Sequence, residues 1–198
     1  ASPKPERLKP AGEIAALYKN GALPLRSGGR LVGCFEAGHA EDVNLSADIL
    51  LENLAAKAMA AHALKSLCAS LNVEPGEIDH VISCSEEAIG DRYNRGGGNL
   101  AKAIAEEAGC VNAAGGDVKS FCAGPMVAMV YGASLIQSGL CRNVAVVAGG
   151  SLAKLGMKFQ SHLEKGMPVL EDVLASFAVL LSPARKGKPC IRLDSAAF

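Results

Sequence analysis

Short apolar runs alternate along the chain with longer segments in which apolar residues recur at helical spacing. Continuous or alternating apolar runs predict strands, and apolar residues three or four positions apart predict helices. The sequence therefore predicts six strands, at residues 30–38, 78–84, 116–121, 142–150, 174–182 and 190–198. It predicts helices at residues 12–21, 43–73, 98–110 and 122–139. Strands and helices in this order are typical of a layered α/β domain.

The predicted helices carry start and stop signals. Ser46 is suited to cap the long second helix, and Gly109 and Gly139 are suited to close the third and fourth. The fourth helix, residues 122–139, differs from the others because it is apolar nearly all the way round. Such a helix is expected to be buried on all sides.

The first part of the chain differs from the remainder in its content of residues that interrupt helices and strands. Residues 1–29 hold three prolines near the start and the flexible sequence RSGG, which predicts an N-terminal extension or linker. Residues 30–198 are predicted to form one α/β domain. Because no closing helix follows the last predicted strand, we expect this domain to be part of a larger fold.

Composition narrows the class of protein. Apolar residues make up 49% and charged residues 20%, and 20 Lys and Arg balance 20 Asp and Glu. These values are typical of a globular protein, and scattered, matched charges argue against nucleic acid as a partner. No apolar run approaches the roughly 20 residues that span a bilayer, and the polar start of the chain does not resemble a signal peptide. We therefore expect no membrane partner.

The cysteines and histidines suggest no metal or cofactor site. No CxxC motif occurs among the seven cysteines, so neither a zinc cluster nor a thioredoxin motif is predicted, and no cofactor is expected. The odd number of cysteines favours reduced thiols in the cytoplasm. Apart from Cys122, they are expected to serve as small buried hydrophobes. No catalytic role is predicted for the histidines, which are His39, His62, His80 and His162.

A glycine-rich stretch before the third helix resembles a dinucleotide-binding loop. Gly96, Gly98 and Ala101 form a G-x-G-x-x-A pattern, and Asp117 follows at about the spacing of a ribose-binding acid. However, eleven residues separate Cys84 from Gly96, whereas such a loop directly follows its strand. A dinucleotide site is therefore not predicted. The start of the helix remains a candidate for anion binding, with help from two nearby arginines, Arg92 and Arg95.

Cys122 is the candidate catalytic residue. It lies between the predicted strand 116–121 and the apolar fourth helix, with Gly124 and Pro125 in the first turn. The amides at the start of a helix stabilise a thiolate and can also stabilise an oxyanion during acyl transfer. An activated nucleophile is therefore one interpretation of Cys122. A buried cysteine of the core is the other, and the local pattern alone does not choose between them.

The residues around Cys122 resemble a known superfamily. GDVKSFCAGPMVAMVYGASLIQSGLCRNVAVVAGG, residues 116–150, is similar to the nucleophile region of the thiolase superfamily, especially its ketoacyl synthase III branch. Residues 83–194 more densely resemble the component C beta subunits of glycine/sarcosine/betaine reductase complexes. The motifs that carry this resemblance are EEAIGDRYNRGGGNLAKAIAEEAGC, AGGSLAKLGMKF and KGMPVLEDVLASFAVLLS.

The resemblance implies a fold, a reaction and partners. The fold would be thiolase-like, with this chain as the N-terminal half of a duplicated α/β unit, the C-terminal half absent, and the strand before Cys122 paired across a homodimer axis. Cys122 would accept an acyl group, and its backbone amide would form part of the oxyanion hole. The His and Asn partners of Cys122 would come from the other half. In such a complex an acetyl group derived from a carboxymethyl-selenoprotein becomes acetyl phosphate, so the implied partners are selenoprotein A and the alpha subunit of component C.

Two alternative functions remain open. The chain is also similar to half of a ketoacyl-acyl-carrier-protein synthase III, which condenses acyl thioesters. However, no basic cluster for docking a carrier protein is evident in the sequence. The other alternative is a noncatalytic thiolase-like module for dimerisation, with Cys122 inert in the core.

Overall fold

A computed structural model of the chain describes residues 8–42, 45–85, 99–151, 164–166 and 174–193. Its contacts divide the chain into two compact units, residues 1–51 and 52–198. None of the helices within the described residues is both long enough and apolar enough to cross a membrane.

The first unit contains a short helix and a β-hairpin. Helix α1 spans Ala11–Lys19, and strands β1 (Leu23–Ser27) and β2 (Arg30–Phe35) pair antiparallel. Gly28 and Gly29 turn the chain between the strands, and both have positive φ angles, 54° and 77°. The RSGG sequence therefore ends β1 and forms the hairpin turn with its two glycines, which adopt this conformation at little cost, and it is not a flexible linker. The predicted start of the domain at residue 30 falls inside this hairpin.

The second unit is built around a four-stranded mixed sheet. Its order is β4 (Ala114–Asp117), β3 (His80–Ser83), β5 (Val144–Ser151) and β6 (Leu174–Leu181). Strands β4, β3 and β5 are parallel to one another, and β6 is antiparallel to β5. The register places His80 opposite both Ala114 and Val144. The carboxyl ends of all three parallel strands therefore point to the same edge of the sheet, and β5 continues past the end of β3 to Ser151.

Helices cover both faces of this sheet. Helix α2 (Ala47–Leu71) begins in the first unit, and its later turns pack with α3 (Leu100–Ala108) on one face. The core on this face contains Leu64, Ile78 and Ile104, each fully buried. Helix α4 (Gly124–Gln137) lies on the other face, against Ile82 and Val146. The result is the layered α/β/α arrangement that the sequence predicts.

Helix α4 contacts the sheet through a stripe of small residues. Gly124, Ala128 and Gly132 are buried and recur every four positions. By contrast, Met126 and Tyr131 on the same helix are 62% and 55% exposed. The prediction that this helix is buried on all sides is therefore wrong for this chain, because one face of the helix packs on the core whereas these two side chains do not.

Two predicted strands differ from the observed ones. Strand β4 ends at Asp117, whereas the sequence predicts a strand over residues 116–121. Residues 190–193 of the last predicted strand are not in a strand, and the rest of it, residues 194–198, lies outside the described residues. Strands β2, β3, β5 and β6 and the four helices confirm the predicted elements to within a few residues at their ends.

Candidate active site

The carboxyl ends of the parallel strands converge beside the start of α4. The amide of Val118, just after β4, donates to Ser83 O at 2.8 Å, and the amide of Cys84, just after β3, donates to Val147 O at 2.9 Å. Parallel sheets bind their ligands at this edge, where the strand ends and the following helices leave space for them. The side chains at this edge are therefore the first candidates for a functional site.

A buried hydroxyl network joins β3 to β5 at this edge. Ser83 and Ser85 are 0% and 2% exposed, and their Oγ atoms lie 3.2 Å apart. The Ser85 hydroxyl oxygen also accepts a hydrogen bond of 3.0 Å from the amide of Gly149, near the end of β5. These hydroxyls replace part of the strand pairing where the two strands diverge. Because buried polar groups are costly unless paired, this network favours a single arrangement of the strand ends.

Cys122 lies in a 3₁₀ turn, Phe121–Ala123, that leads directly into α4. The Ala123 amide closes this turn by donating to Ser120 O at 3.0 Å. Pro125 follows in the first turn of α4, where the missing amide hydrogen has no cost. Cys122 is exposed and is not packed into the core. The structure therefore separates Cys122 from β4 by a short connection and presents its thiol at the surface.

The first turn of α4 rests on the end of β3. A methyl group placed at Gly124 would lie 3.4 Å from both Cβ and O of Cys84, so the glycine lets the helix approach the strand end closely. Cys84 is itself buried, and its thiol donates to Val147 O at 3.5 Å. The same strand end thus contacts α4 and β5, and it fixes where the helix carrying the candidate nucleophile begins.

The other cysteines differ from Cys122 in exposure. Cys68, Cys84 and Cys110 are buried, as the sequence predicts, and Cys34 and Cys141 are half-buried. The prediction is wrong for Cys190, which is exposed.

Burial changes the acidity of several of these thiols. It raises the pKa of the Cys110 thiol to about 11. Burial also raises the pKa values of Cys68 and Cys141, and the nearby charge of Asp79 adds to the effect at Cys141. These three thiols stay protonated and unreactive at neutral pH, because the thiolate is the nucleophile. Cys122 and Cys190 are the two exposed thiols of the chain.

The histidines that the structure describes lie in ordinary structural positions. His39 accepts hydrogen bonds from the amides of Glu41 and Asp42 through Nδ1, at 3.2 and 3.3 Å. His62 is exposed on α2. His80 begins β3, where burial lowers the pKa of its imidazole. His162 lies outside the described residues. Within the part of the chain that the structure describes, no group of three His, Cys, Asp or Glu side chains could hold a metal ion.

Asp117 caps helix α3, so its carboxylate is not available to bind a ribose. Its two carboxylate oxygens accept hydrogen bonds from the amides of Leu100 and Ala101, both at 2.9 Å. Asn99 completes the cap by accepting from the Lys102 amide at 2.8 Å and donating to Gly115 O at 2.7 Å. The suggestion that this helix start binds an anion is therefore wrong for the described amides, because a carboxylate of the chain already occupies them. The remaining residues of that suggestion, Arg92, Arg95, Gly96 and Gly98, lie outside the described residues.

Two residues of this edge were not found by sequence reasoning. Ser85 joins the strand ends, as described above, and Lys119 donates from Nζ to Ser85 O at 2.8 Å. For Ser85, the pattern Ser-Cys-Ser at the end of a buried strand could have indicated a polar contact. For Lys119, the sequence gives no such indication, because its hydrogen-bond partner lies 34 positions away.

Comparison with known proteins agrees with this geometry. The structure superposes on crystal structures of two variants of OleA from Xanthomonas campestris. One variant matches with a TM-score of 0.52 and 16% identity, over 64% of this chain and 39% of that chain. The other, bound with cerulenin, matches with a TM-score of 0.50 and 16% identity, over 64% and 39% of the two chains. The chain therefore has a thiolase-like α/β fold, as its sequence predicts.

A curated relative supports the more specific resemblance. The chain is 52% identical over 170 residues to the glycine/sarcosine/betaine reductase complex component C subunit beta of Peptoclostridium acidaminophilum. The match covers 86% of this chain and 33% of the relative, so the chain spans about one third of the length of the protein it matches. No protein-family model matches the chain. The resemblance predicted from residues 83–194 is thereby confirmed.

Proposed function

We propose that this chain is part of an acyl-transfer subunit equivalent to component C subunit beta, with Cys122 as the acyl-accepting nucleophile. The observation that carries the proposal is the position of Cys122. Its exposed thiol stands at the start of α4, at the edge where three parallel strands end. The 52% identity to the component C subunit supports the same reading.

The proposed chemistry uses groups of this chain. The Cys122 thiolate would attack an acetyl carbonyl carbon, and the amides at the start of α4 would stabilise the resulting oxyanion. Collapse of that intermediate breaks the bond between the acetyl carbon and the donor's thiol sulfur or phosphate oxygen, releases the donor as a thiolate or phosphate, and leaves an acetyl thioester on Cys122. Attack by a phosphate oxygen would then form acetyl phosphate and return the cysteine as a thiolate. In the proposed complex selenoprotein A supplies the carboxymethyl group, and the alpha subunit of component C takes part in the transfer of the acetyl group to phosphate.

We also infer a homodimer that forms through β4. Among the described residues this strand pairs on one side only, with β3, and stands at the edge of the sheet. An unpaired edge offers a row of amide and carbonyl groups to a second strand. A second copy of the same strand is the partner we propose.

The cytoplasm is the proposed location, since seven free thiols suit a reducing compartment.

The experiment that tests this function runs the last step backwards in the full-length protein. The protein is incubated with acetyl phosphate, and its cysteine peptides are read by mass spectrometry. We expect one acetyl group on the peptide that contains Cys122 and none after Cys122→Ala. Cys190→Ala, which removes the other exposed thiol, is the matched control and should leave the modification intact. Acetylation that persists in Cys122→Ala would refute the nucleophile assignment.

A second readout addresses the noncatalytic alternative. Iodoacetamide should alkylate Cys122 faster than Cys190, because Cys122 stands at a helix start and Cys190 does not. Equal rates, together with no acetylation by acetyl phosphate, would favour a thiolase-like module that serves dimerisation alone.

A further inference from the structure

Lys119 is the cationic residue in the connection that leads from β4 to Cys122, three positions before the thiol. Its Nζ donates to the backbone oxygen of Ser85 at 2.8 Å. The preceding residue, Val118, donates its amide to Ser83 O, also at 2.8 Å. Two hydrogen bonds, one from the backbone and one from a charged side chain, thus hold this connection against the end of β3.

The acceptor of the Lys119 bond is itself firmly placed. Ser85 is 2% exposed, and its hydroxyl accepts from the Gly149 amide at 3.0 Å. The adjacent Cys84 contacts Gly124 in the first turn of α4. Lys119 is therefore anchored to the same strand end that supports the helix following Cys122. The residues before and after Cys122 share one point of attachment.

We propose that Lys119 is a positioning residue for Cys122, which acts by fixing the 3₁₀ turn Phe121–Ala123 through its hydrogen bond to Ser85 O. This inference rests on the proposed function, in which the Cys122 thiol reacts. Hydrogen bonds from an ammonium group are stronger than those between neutral groups, so the bond can hold a short exposed connection in one geometry. The amides at the start of α4 can stabilise a thiolate on Cys122 only while the turn holds the sulfur near them. Loss of the bond is therefore expected to slow the reaction of Cys122 without unfolding the domain.

Lys102 provides a matched control within the same sheet. Its Nζ donates to the backbone oxygen of Ala113 at 2.9 Å, a bond of the same kind as that of Lys119. The two bonds differ in location. The Lys102 bond involves Ala113, the residue before β4, whereas the Lys119 bond involves a residue after β4. Removal of either ammonium group breaks a charged hydrogen bond to a backbone carbonyl, but only the Lys119 bond adjoins Cys122.

The experiment compares Lys119→Met, Lys119→Arg and Lys102→Met in the full-length protein. The rate of iodoacetamide alkylation of Cys122 is measured at one pH, with Cys190 in the same sample as the internal reference. We expect Lys119→Met to lower the ratio of the two rates about tenfold, because the released turn moves the Cys122 thiol away from the amides at the start of α4. Lys119→Arg should restore the ratio to within about threefold, because it keeps a charged donor, and Lys102→Met should leave it unchanged. Amide exchange should increase in residues 118–123 in Lys119→Met only.

The outcomes separate this inference from the function on which it rests. If Cys122 of the unsubstituted protein reacts no faster than Cys190, the proposed nucleophile is wrong. If Cys122 reacts faster than Cys190 but Lys119→Met does not lower the ratio of the two rates, the positioning role of Lys119 is refuted. The same holds if Lys102→Met lowers the ratio as much as Lys119→Met does. If Lys119→Arg fails to restore the ratio, it is refuted as well. Should Lys119→Met be recovered in low yield, Lys119→Gln serves as the same test, since its neutral amide has a shorter reach.

Discussion

Replacement of Gly149 by alanine should strongly destabilise the second unit. Gly149 lies near the end of β5, where the strand passes directly under helix α2. A methyl group at this position would lie 2.6 Å from the Ala60 amide nitrogen and closer still to Ala56 O. Both atoms belong to the helix backbone, so no side chain can rotate away. Since ordinary contacts lie near 3.5 Å, strand and helix would have to separate by about 1 Å.

The size of the effect follows from this displacement. Overpacking a well-packed core costs about 1–3 kcal/mol, and occasionally more. A clash with two backbone atoms of α2, neither of which can rotate away, places Gly149→Ala at the upper end, at about 3 kcal/mol. For a chain of this size about 1 kcal/mol corresponds to a Tm change of roughly 2–4 °C, so we expect a loss of roughly 6–12 °C. Thermal unfolding followed by circular dichroism, with urea titration for the free energy of unfolding, measures the change.

The neighbouring glycine is the control. A methyl group at Gly150 would meet nothing within 4 Å. Gly150→Ala should therefore leave the free energy of unfolding unchanged or raise it by about 0.5–1 kcal/mol, because alanine restricts the unfolded chain. If the two variants unfold within about 2 °C of each other, the close approach of β5 to α2 is not as described.

Three further predictions concern contacts and exposed residues of the second unit. Asp117→Ala should lower the free energy of unfolding by about 1–2 kcal/mol, because the amides of α3 lose their acceptors, whereas Glu106→Ala at an exposed site of the same helix should have little effect in urea titrations. Cys110, with a pKa of about 11, keeps its proton in the folded chain after the unfolded chain has lost it near pH 9. Stability should therefore fall as pH rises from about 9 towards 11, and a Cys110→Ala variant should show a smaller fall over that range in urea titrations; equal slopes would contradict the burial of this thiol. Finally, the exposed side chains of Met126 and Tyr131 should promote self-association of the 198-residue chain. Substitution of both by lysine should weaken it in sedimentation velocity, and a strictly monomeric unsubstituted chain would refute the expectation.

Hydrophobic periodicity predicted most of the fold because most elements bury a regular face. Helix α3 ends at Gly109 with φ of 85°, as its sequence indicates. Strand β1 was missed because Pro24 and polar residues interrupt its pattern, although an edge hairpin tolerates both. The burial of helix α4 was predicted wrongly for a different reason. An all-apolar sequence does not reveal how many of its faces meet a partner in this chain.

The candidate site was predictable only in part. Cys122 could be singled out because it precedes a helix with Gly124 and Pro125 in the first turn. The hydrogen bond between Lys119 and Ser85 could not, because it depends on β4 lying next to β3 in the sheet. The capping role of Asp117 was not predicted, because sequence spacing alone does not show that its carboxylate reaches the start of α3.

Two glycines that pack the helices against the sheet, Gly132 and Gly149, should follow different evolutionary paths. A methyl group at Gly132 would meet the side-chain atoms Leu181 Cδ1 at 2.8 Å and Val144 Cγ1 at 3.1 Å. A smaller residue at 181 would remove the closer of the two contacts, so an alanine at 132 can be accommodated by a second substitution. At Gly149 the obstructing atoms are main-chain atoms, which every amino acid shares. No neighbouring substitution can remove them, so related sequences should retain glycine at 149 while the residue at 132 varies together with the one at 181.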